Sequence, residues 1–246
     1  MHFIKANNIK RNNGLTLIEI MIALLLGLIV IGGALSIYIA TIRSSTDITN
    51  SARLNYDLDS VMQLMVNDIR RAGYWGGAVT GSDAQTNPFT IGAANIQIPV
   101  DSCILYTYDA NGDGVVGTEH TEYYGFKLQD GRIQIRSSKA AETTTDCTGT
   151  DWETITDENK VNITSLTFSD NNSKCFNSTT KKLYAPAGED KSCPATAVAG
   201  FSTAGDTLVE TREIAITLTG NVVGDAPVTK SLTANVKVRN NRIFNQ

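Results

Sequence analysis

Charge is absent from the 23 positions between Ile20 and Ile42, whereas from Ser51 to Ala72 apolar residues recur every three or four places, at Leu54, Leu58, Val61, Met62, Met65 and Ile69. The first pattern predicts a helix that is apolar all round, the second an amphipathic helix with one buried stripe. Arg53, Asp57, Asp59, Asp68, Arg70 and Arg71 fill much of the remaining surface of the second. No proline separates the two, so they read as one helix of ~55 residues, about 80 Å long, meeting lipid or other subunits first and a globular head second. Its apolar half alone spans roughly 35 Å, enough to cross a hydrocarbon core of about 30 Å. Gly73, just after Arg70 and Arg71, is the expected stop.

Beyond Gly77 the period shortens to β-rich runs separated by Gly, Asn and Asp: Cys103–Tyr108, Thr121–Leu128, Arg132–Arg136, Trp152–Thr156, Asn162–Ser169, Arg212–Thr219 and Ser231–Val238. These runs predict a mostly β head. Asp130-Gly131 predicts a tight hairpin, and the last two runs are expected to form a C-terminal hairpin joined across Gly220–Lys230. Tyr74 and Trp75 read as core aromatics that anchor the helix end, in preference to a partner contact.

With 41% hydrophobic and 19% charged residues and only five prolines, disorder, collagen and low complexity are excluded. The net charge of −4, with no Lys/Arg run longer than two, argues against direct nucleic acid contact. The segment before Leu15 carries Lys5, Lys10 and Arg11 and no acid, which keeps the N-terminus in the cytoplasm and places everything after Arg43 outside it. The apolar core is longer than that of a secretory signal, and no small-residue cleavage site comes after it. Cys103, Cys147, Cys175 and Cys193 then lie where disulfides persist. Three connectivities are open, and local closure favours Cys103–Cys147 with Cys175–Cys193. No cysteine spacing suits zinc. Asn162, Asn171 and Asn177 stand in N-x-S/T triplets that carry little weight. His2 and His120 are the only histidines and no P-loop or dinucleotide fingerprint occurs, so the chain reads as a non-enzyme.

A carboxylate one turn into a membrane helix costs about 2.5 to 3.5 kcal/mol, so Glu19 requires a functional reason. The run Gly14-Leu15-Thr16-Leu17-Ile18-Glu19 resembles the class III signal of type IV prepilins and pseudopilins. The resemblance implies a leader at 1–14 cut by the prepilin peptidase between Gly14 and Leu15, and N-methylation of Leu15, which stands where the family usually has Phe. It also implies that Glu19 pairs with the amino-terminal amine of a neighbouring subunit. The block Asn67-Asp68-Ile69-Arg70-Arg71-Ala72-Gly73-Tyr74-Trp75-Gly76-Gly77, and more moderately the closing Val236-Lys237-Val238-Arg239-Asn240, resemble minor pilins of the PilW type, related to the J-type minor pseudopilin of type II secretion.

The resemblance implies an α+β pilin fold, with a membrane-spanning and filament-core helix at 15–43, its amphipathic half at 44–73 and a β-rich head at 74–246. The implied role is a minor pilin that primes pilus assembly and sits at the pilus tip at the cell surface. Its implied partners are other minor pilins, the major pilin, the assembly platform and a tip adhesin. A minor pseudopilin of type II secretion, or an adhesive tip subunit using 78–206, are the alternatives. Many major pilins carry a helix-loosening proline here; this chain has Gly27, Gly32 and Gly33 instead.

One loop carries candidate chemistry. Asp109-Ala110-Asn111-Gly112-Asp113-Gly114 matches the opening of a calcium loop, D-x-N-x-D-G, whose oxygens at alternate positions converge on the ion. Asp109, Asn111, Asp113 and Glu119 are the candidate ligands. His120 occupies the place of the bidentate glutamate, and the alternative is a polar turn that needs no ion.

Overall fold

Helix α1 runs unbroken from Leu17 to Ile69. The structure is a computed structural model that describes residues 14–76, 84–117, 121–138, 147–149, 151–186 and 192–246. Two compact units are present, Met1–Thr49 and Asn50–Gln246. In the first, Leu17, Leu28, Val30 and Ile37 are each at least 70% exposed. Among the described residues α1 is the one helix long and apolar enough to cross a membrane. In the second unit the expected stripe is buried at all six positions, Leu54, Leu58, Val61, Met62, Met65 and Ile69.

That stripe lies on two antiparallel sheets. The first has the order β1 (Gln97–Val100), β2 (Cys103–Thr107), β3 (Tyr123–Gln129), β4 (Arg132–Ser138), β5 (Trp152–Thr154). In the second, β10 (Glu213–Val222) lies between β6 (Val161–Ser169) and β11 (Asp225–Lys237). Ile104, Tyr106 and Phe126 from the first, and Ile163, Leu166, Phe168, Ile214, Ile216, Leu218 and Val236 from the second, close one core with the helix. Strand β6 abuts the first sheet through Phe168 N–H to Asp101 O at 2.7 Å and Ile163 N–H to Gly131 O at 2.8 Å. Asp130 and Gly131, both at positive φ, make the tight turn between β3 and β4.

One expectation is corrected, and one sheet was not expected. Gly220–Lys230 is not a connection: β10 and β11 pair through Gly220↔Lys230 and Asn221↔Thr229, and the tip is Val223-Gly224. Gly220 reads as a breaker, yet an added Cβ there would lie 3.2 Å from Asn162 O and 3.3 Å from Leu58, so glycine serves close packing. A third sheet, unforeseen, has the order β12 (Arg242–Asn245), β9 (Thr207–Thr211), β7 (Lys174–Asn177), β8 (Lys182–Leu183). Its core is small, built on Cys175, Phe201 and Leu208.

The C-terminal end of α1 meets the head almost residue by residue. Helix ends leave carbonyls without intrahelical partners. Here Arg239 N–H donates to Arg70 O at 3.1 Å, and Asn240 Nδ2 to Arg71 O and Ala72 O at 3.3 and 3.1 Å. Asn87 Nδ2 donates to Gly73 O at 3.0 Å. Gly73 stands at φ +70° and donates its N–H to Thr107 O at 2.8 Å. Buried Arg212 braces the junction, donating to Asn95 Oδ1 and, at 2.8 Å, to Asn240 O. Burial pulls its guanidinium down to about 10, so it stays charged at neutral pH.

Just before this junction Asp68 fixes the helix to the first sheet. It accepts from Tyr106 Oη and, at 3.2 Å, from Tyr108 Oη. Arg71 lies 3.5 Å from Asp68 and 4.1 Å above the Tyr108 ring, which stacks on Tyr124 at 4.0 Å.

A methyl group at Gly73 would meet Arg212 Nη2 at 2.8 Å and Thr90 Cγ2 at 2.9 Å, at a φ that side chains avoid. Gly73→Ala should therefore lower the unfolding free energy by about 2–4 kcal/mol in urea denaturation of the detergent-solubilised chain. A value within about 0.5 kcal/mol of wild type would show that the junction has room to spare.

The tyrosines predict an alkaline limit. Burial, then Asp68, raises Tyr106 well above the ordinary value of 10.0, and burial also raises Tyr108. The unfolded chain ionises these phenols first, so their contribution is complete below pH ~10 and is lost as pH rises beyond it, by up to about 1.4 kcal/mol per pH unit per tyrosine. Tyr106→Phe should flatten that decline in melts between about pH 9 and about pH 11. An equally steep decline in the variant would assign the effect to other groups.

Candidate functional site

Gly14, Leu15 and Thr16 precede the first turn of α1 without regular structure. Thr16 caps the helix: its Oγ1 accepts the Glu19 N–H at 3.3 Å. The T-x-x-E spacing is that of a capping box, with the acid also placed where the positive end of the helix dipole favours it. Leu15 and Glu19 share one surface with Ile20, Ala23, Leu24, Gly27, Leu28 and Ile31. Leu15 is 71% exposed and the Glu19 side chain lies open on this apolar face. A Cβ added at Gly14, Gly27, Gly32 or Gly33 would meet nothing within 4 Å. No packing within the chain requires glycine at these four positions.

The Asp109 loop lies beside the helix junction. Asp109 is buried. Its Oδ1 accepts from Gly112 N–H at 2.6 Å, and its Oδ2 from Gly76 and Gly114 N–H at 2.8 and 2.9 Å. Asn111 and Asp113 make local turns, with Asn111 Nδ2 donating to Asp113 Oδ2 at 2.6 Å and Asp113 Oδ1 accepting Val115 N–H at 2.8 Å. Of the four candidate ligands, Glu119 lies outside the described residues. The structure instead brings Glu122 to Asp109 and Asp113, their carboxylate oxygens within 4.8 Å of one another. Glu122 is buried and accepts Gly117 N–H at 3.0 Å. Two places beyond the usual twelfth position, it escapes a motif written for a loop that leads into a helix, because this loop leads into β3. These three acids are the described residues that could hold a metal ion, while the three N–H groups on Asp109 give that residue a structural task without one.

Trp75 is fastened to the same loop, its Nε1–H donating to Gly114 O at 2.8 Å, whereas Tyr74 is 49% exposed and is not a core aromatic. Cys103 is bonded to Cys147 and Cys175 to Cys193. Lys127 Nζ donates to Cys147 O at 3.0 Å and stands 4.5 Å above the Trp152 ring, so the first bridge is seated on β3 and β5. The second lies in the small core of the third sheet, with Cys175 buried there and Cys193 packed against it. Asn177 is fully buried, donating to Phe201 O and Asp206 Oδ2, which removes it as a glycan acceptor.

Comparison with known proteins gives two family matches. Residues 9–35 match the prokaryotic N-terminal methylation motif. Residues 47–238, more than half of the chain, match the family described as Prepilin peptidase-dependent protein B. The protein of that name from Escherichia coli (strain K12) is 23% identical over 156 residues, covering 62% of this chain and 75% of that protein. No solved structure matches.

Asp109→Ala strands three backbone N–H groups and should cost the head about 2–4 kcal/mol in a denaturant melt, with or without calcium. Calcium is tested in a thermal melt of the same chain. A wild-type Tm that rises at about millimolar calcium, and no longer rises in Asp113→Ala, is the result expected of an ion on this cluster. An unchanged Tm assigns the loop to hydrogen bonding alone.

Proposed function

Because this chain belongs to the Prepilin peptidase-dependent protein B family and is type IV pilin-like in motif and fold, we propose that it is a minor pilin of the PilW type. Prepilin peptidase cuts between Gly14 and Leu15 and the new Leu15 amine is methylated. The helix holds the chain in the inner membrane with the head in the periplasm, in keeping with two disulfides in the head. From there the subunit enters the pilus, primes its assembly with other minor pilins and the major pilin on the assembly platform, and sits at the tip beside an adhesin. Its work is structural and not enzymatic.

The observation that carries this reading is the state of the N-terminal face. Gly14 is glycine for no reason internal to the chain, and Glu19 is an open carboxylate on an apolar surface. A peptidase cleft at the membrane surface accounts for the first. A neighbour's Leu15 amine accounts for the second, since a carboxylate in lipid is tolerable when a cation neutralises it. The absence of any contact that would require Gly27, Gly32 and Gly33 fits close approach of other helices.

Glu19→Gln keeps the size and removes the charge. The variant should be inserted and shortened normally but recovered poorly with sheared pili and with partner minor pilins, while Gly14→Val should stay at precursor length. Wild-type incorporation of Glu19→Gln would shift docking to the head; normal shortening of Gly14→Val would remove the prepilin assignment. Deleting the gene, with pili and secreted proteins assayed together, separates the two settings: lost pili with intact secretion supports the pilus, and the reverse selects type II secretion.

A further inference from the structure

Strand β11 is an edge. Among the described residues it pairs with β10 and with no other strand. Val238 N–H donates to Arg212 O at 3.0 Å, and an antiparallel ladder alternates bonded with non-bonded pairs, so Val236, Ala234 and Leu232 turn their amides toward β10. Ser231, Thr233, Asn235 and Lys237 therefore turn theirs outward. Arg239 continues the alternation and confirms its direction, because its N–H leaves the sheet for Arg70 O.

Natural proteins guard such edges by keeping them short or charged. Strand β6, at the opposite side of the same sheet, is bonded to the first sheet at Ile163 and Phe168. The outer strands of the other two sheets, β1, β5, β8 and β12, have four, three, two and four residues. Strand β11 has thirteen. Its protection is positive charge: Lys230 and Lys237 on the strand, and Arg239 just past its end, are exposed. Among the described residues none of the three is in an ion pair. Glu213 stands opposite Lys237 in register and is the one acid on the adjoining strand. Between these cations the solvent face is neutral, with Ser231, Thr233 and Asn235 beside Thr219, Thr217 and Ala215.

Lysine on an edge repels basic strands and desolvates badly against apolar ones, but carboxylates at facing positions would gain both the ladder and the charge. We propose that the outer edge of β11 is a docking site for an acidic extended strand of another protein, which joins the sheet as its fourth strand. Such docking suits a pilus or a secretion filament alike, and does not depend on where the chain resides.

The test uses the full chain in detergent and two fluorescent peptides of about ten residues, a length matched to the edge at ~3.3 Å per residue. One alternates valine with glutamate, the other valine with glutamine. The acidic peptide should bind about tenfold more tightly at low salt, with the difference shrinking as salt is added. It should also slow hydrogen exchange at the amides of Ser231, Thr233 and Asn235. Thr233→Pro removes one outward N–H that β10 does not use, and should abolish binding while leaving the melt near wild type. Should that variant misfold, the double variant Lys230→Glu, Lys237→Glu keeps the backbone edge and should prefer a valine–lysine peptide. Equal binding of both peptides, unprotected amides, or full binding by a folded Thr233→Pro would each overturn the proposal. Every one of these outcomes leaves the processing and docking of Gly14 and Glu19 untouched.

Discussion

The carbonyls at the end of α1 must find donors, and nearly everything else in the head is placed by how they do so. A helix that stopped in solvent could leave them to water. This one stops against a core, so each carbonyl from Arg70 to Gly73 is met by a group from elsewhere in the head. Asn87 comes from the segment before β1, and Arg239 and Asn240 from the stretch between β11 and β12. Arg212, between β9 and β10, then ties Asn95 to Asn240. Segments beside the two large sheets and the start of the third meet there, and their donors satisfy carbonyls that would otherwise depend on water.

Charge is used sparingly and locally around that point. Asp68 gathers two phenols and Arg71, a partly buried arrangement in which each member has a partner. Asp109 gathers three backbone N–H groups and links the chain just past the helix to a glycine-rich loop. Both aspartates act as fasteners between the helix end and β2 with its following loop. The first unit is different in kind, with Glu19 as a lone acid in an apolar surface whose glycines meet nothing of their own chain.

Legibility in the sequence tracked the length of each pattern. Six apolar positions at helical spacing were enough to fix the buried face of α1, and seven β-rich runs found every strand of the two large sheets except β1, whose four residues Gln97–Val100 contain a proline. The third sheet was invisible because its strands have two to five residues, interrupted by Lys, Asn and Glu, and rest on a small core beside a disulfide. Gly220 reads as punctuation, although cross-strand pairing carries β10 through it. Asp68 read as one charge on a solvated face, since nothing local shows that two tyrosines forty residues away will donate to it. The motif at Asp109 offered four candidate ligands, of which the structure gathers the carboxylates of Asp109 and Asp113, and it missed Glu122, which only the path of the chain into β3 brings near.

The partners that close the helix junction are far away in the chain: Asn240 lies 169 and 168 residues beyond the two carbonyls it meets. Such contacts form late, because the intervening loop must be ordered before they return anything. A chain emerging N-terminus first would therefore present its helix at once and keep the helix end unfinished until residue 240 had emerged. A chain truncated before residue 240 would keep α1 but lack the donors that close its C-terminal end.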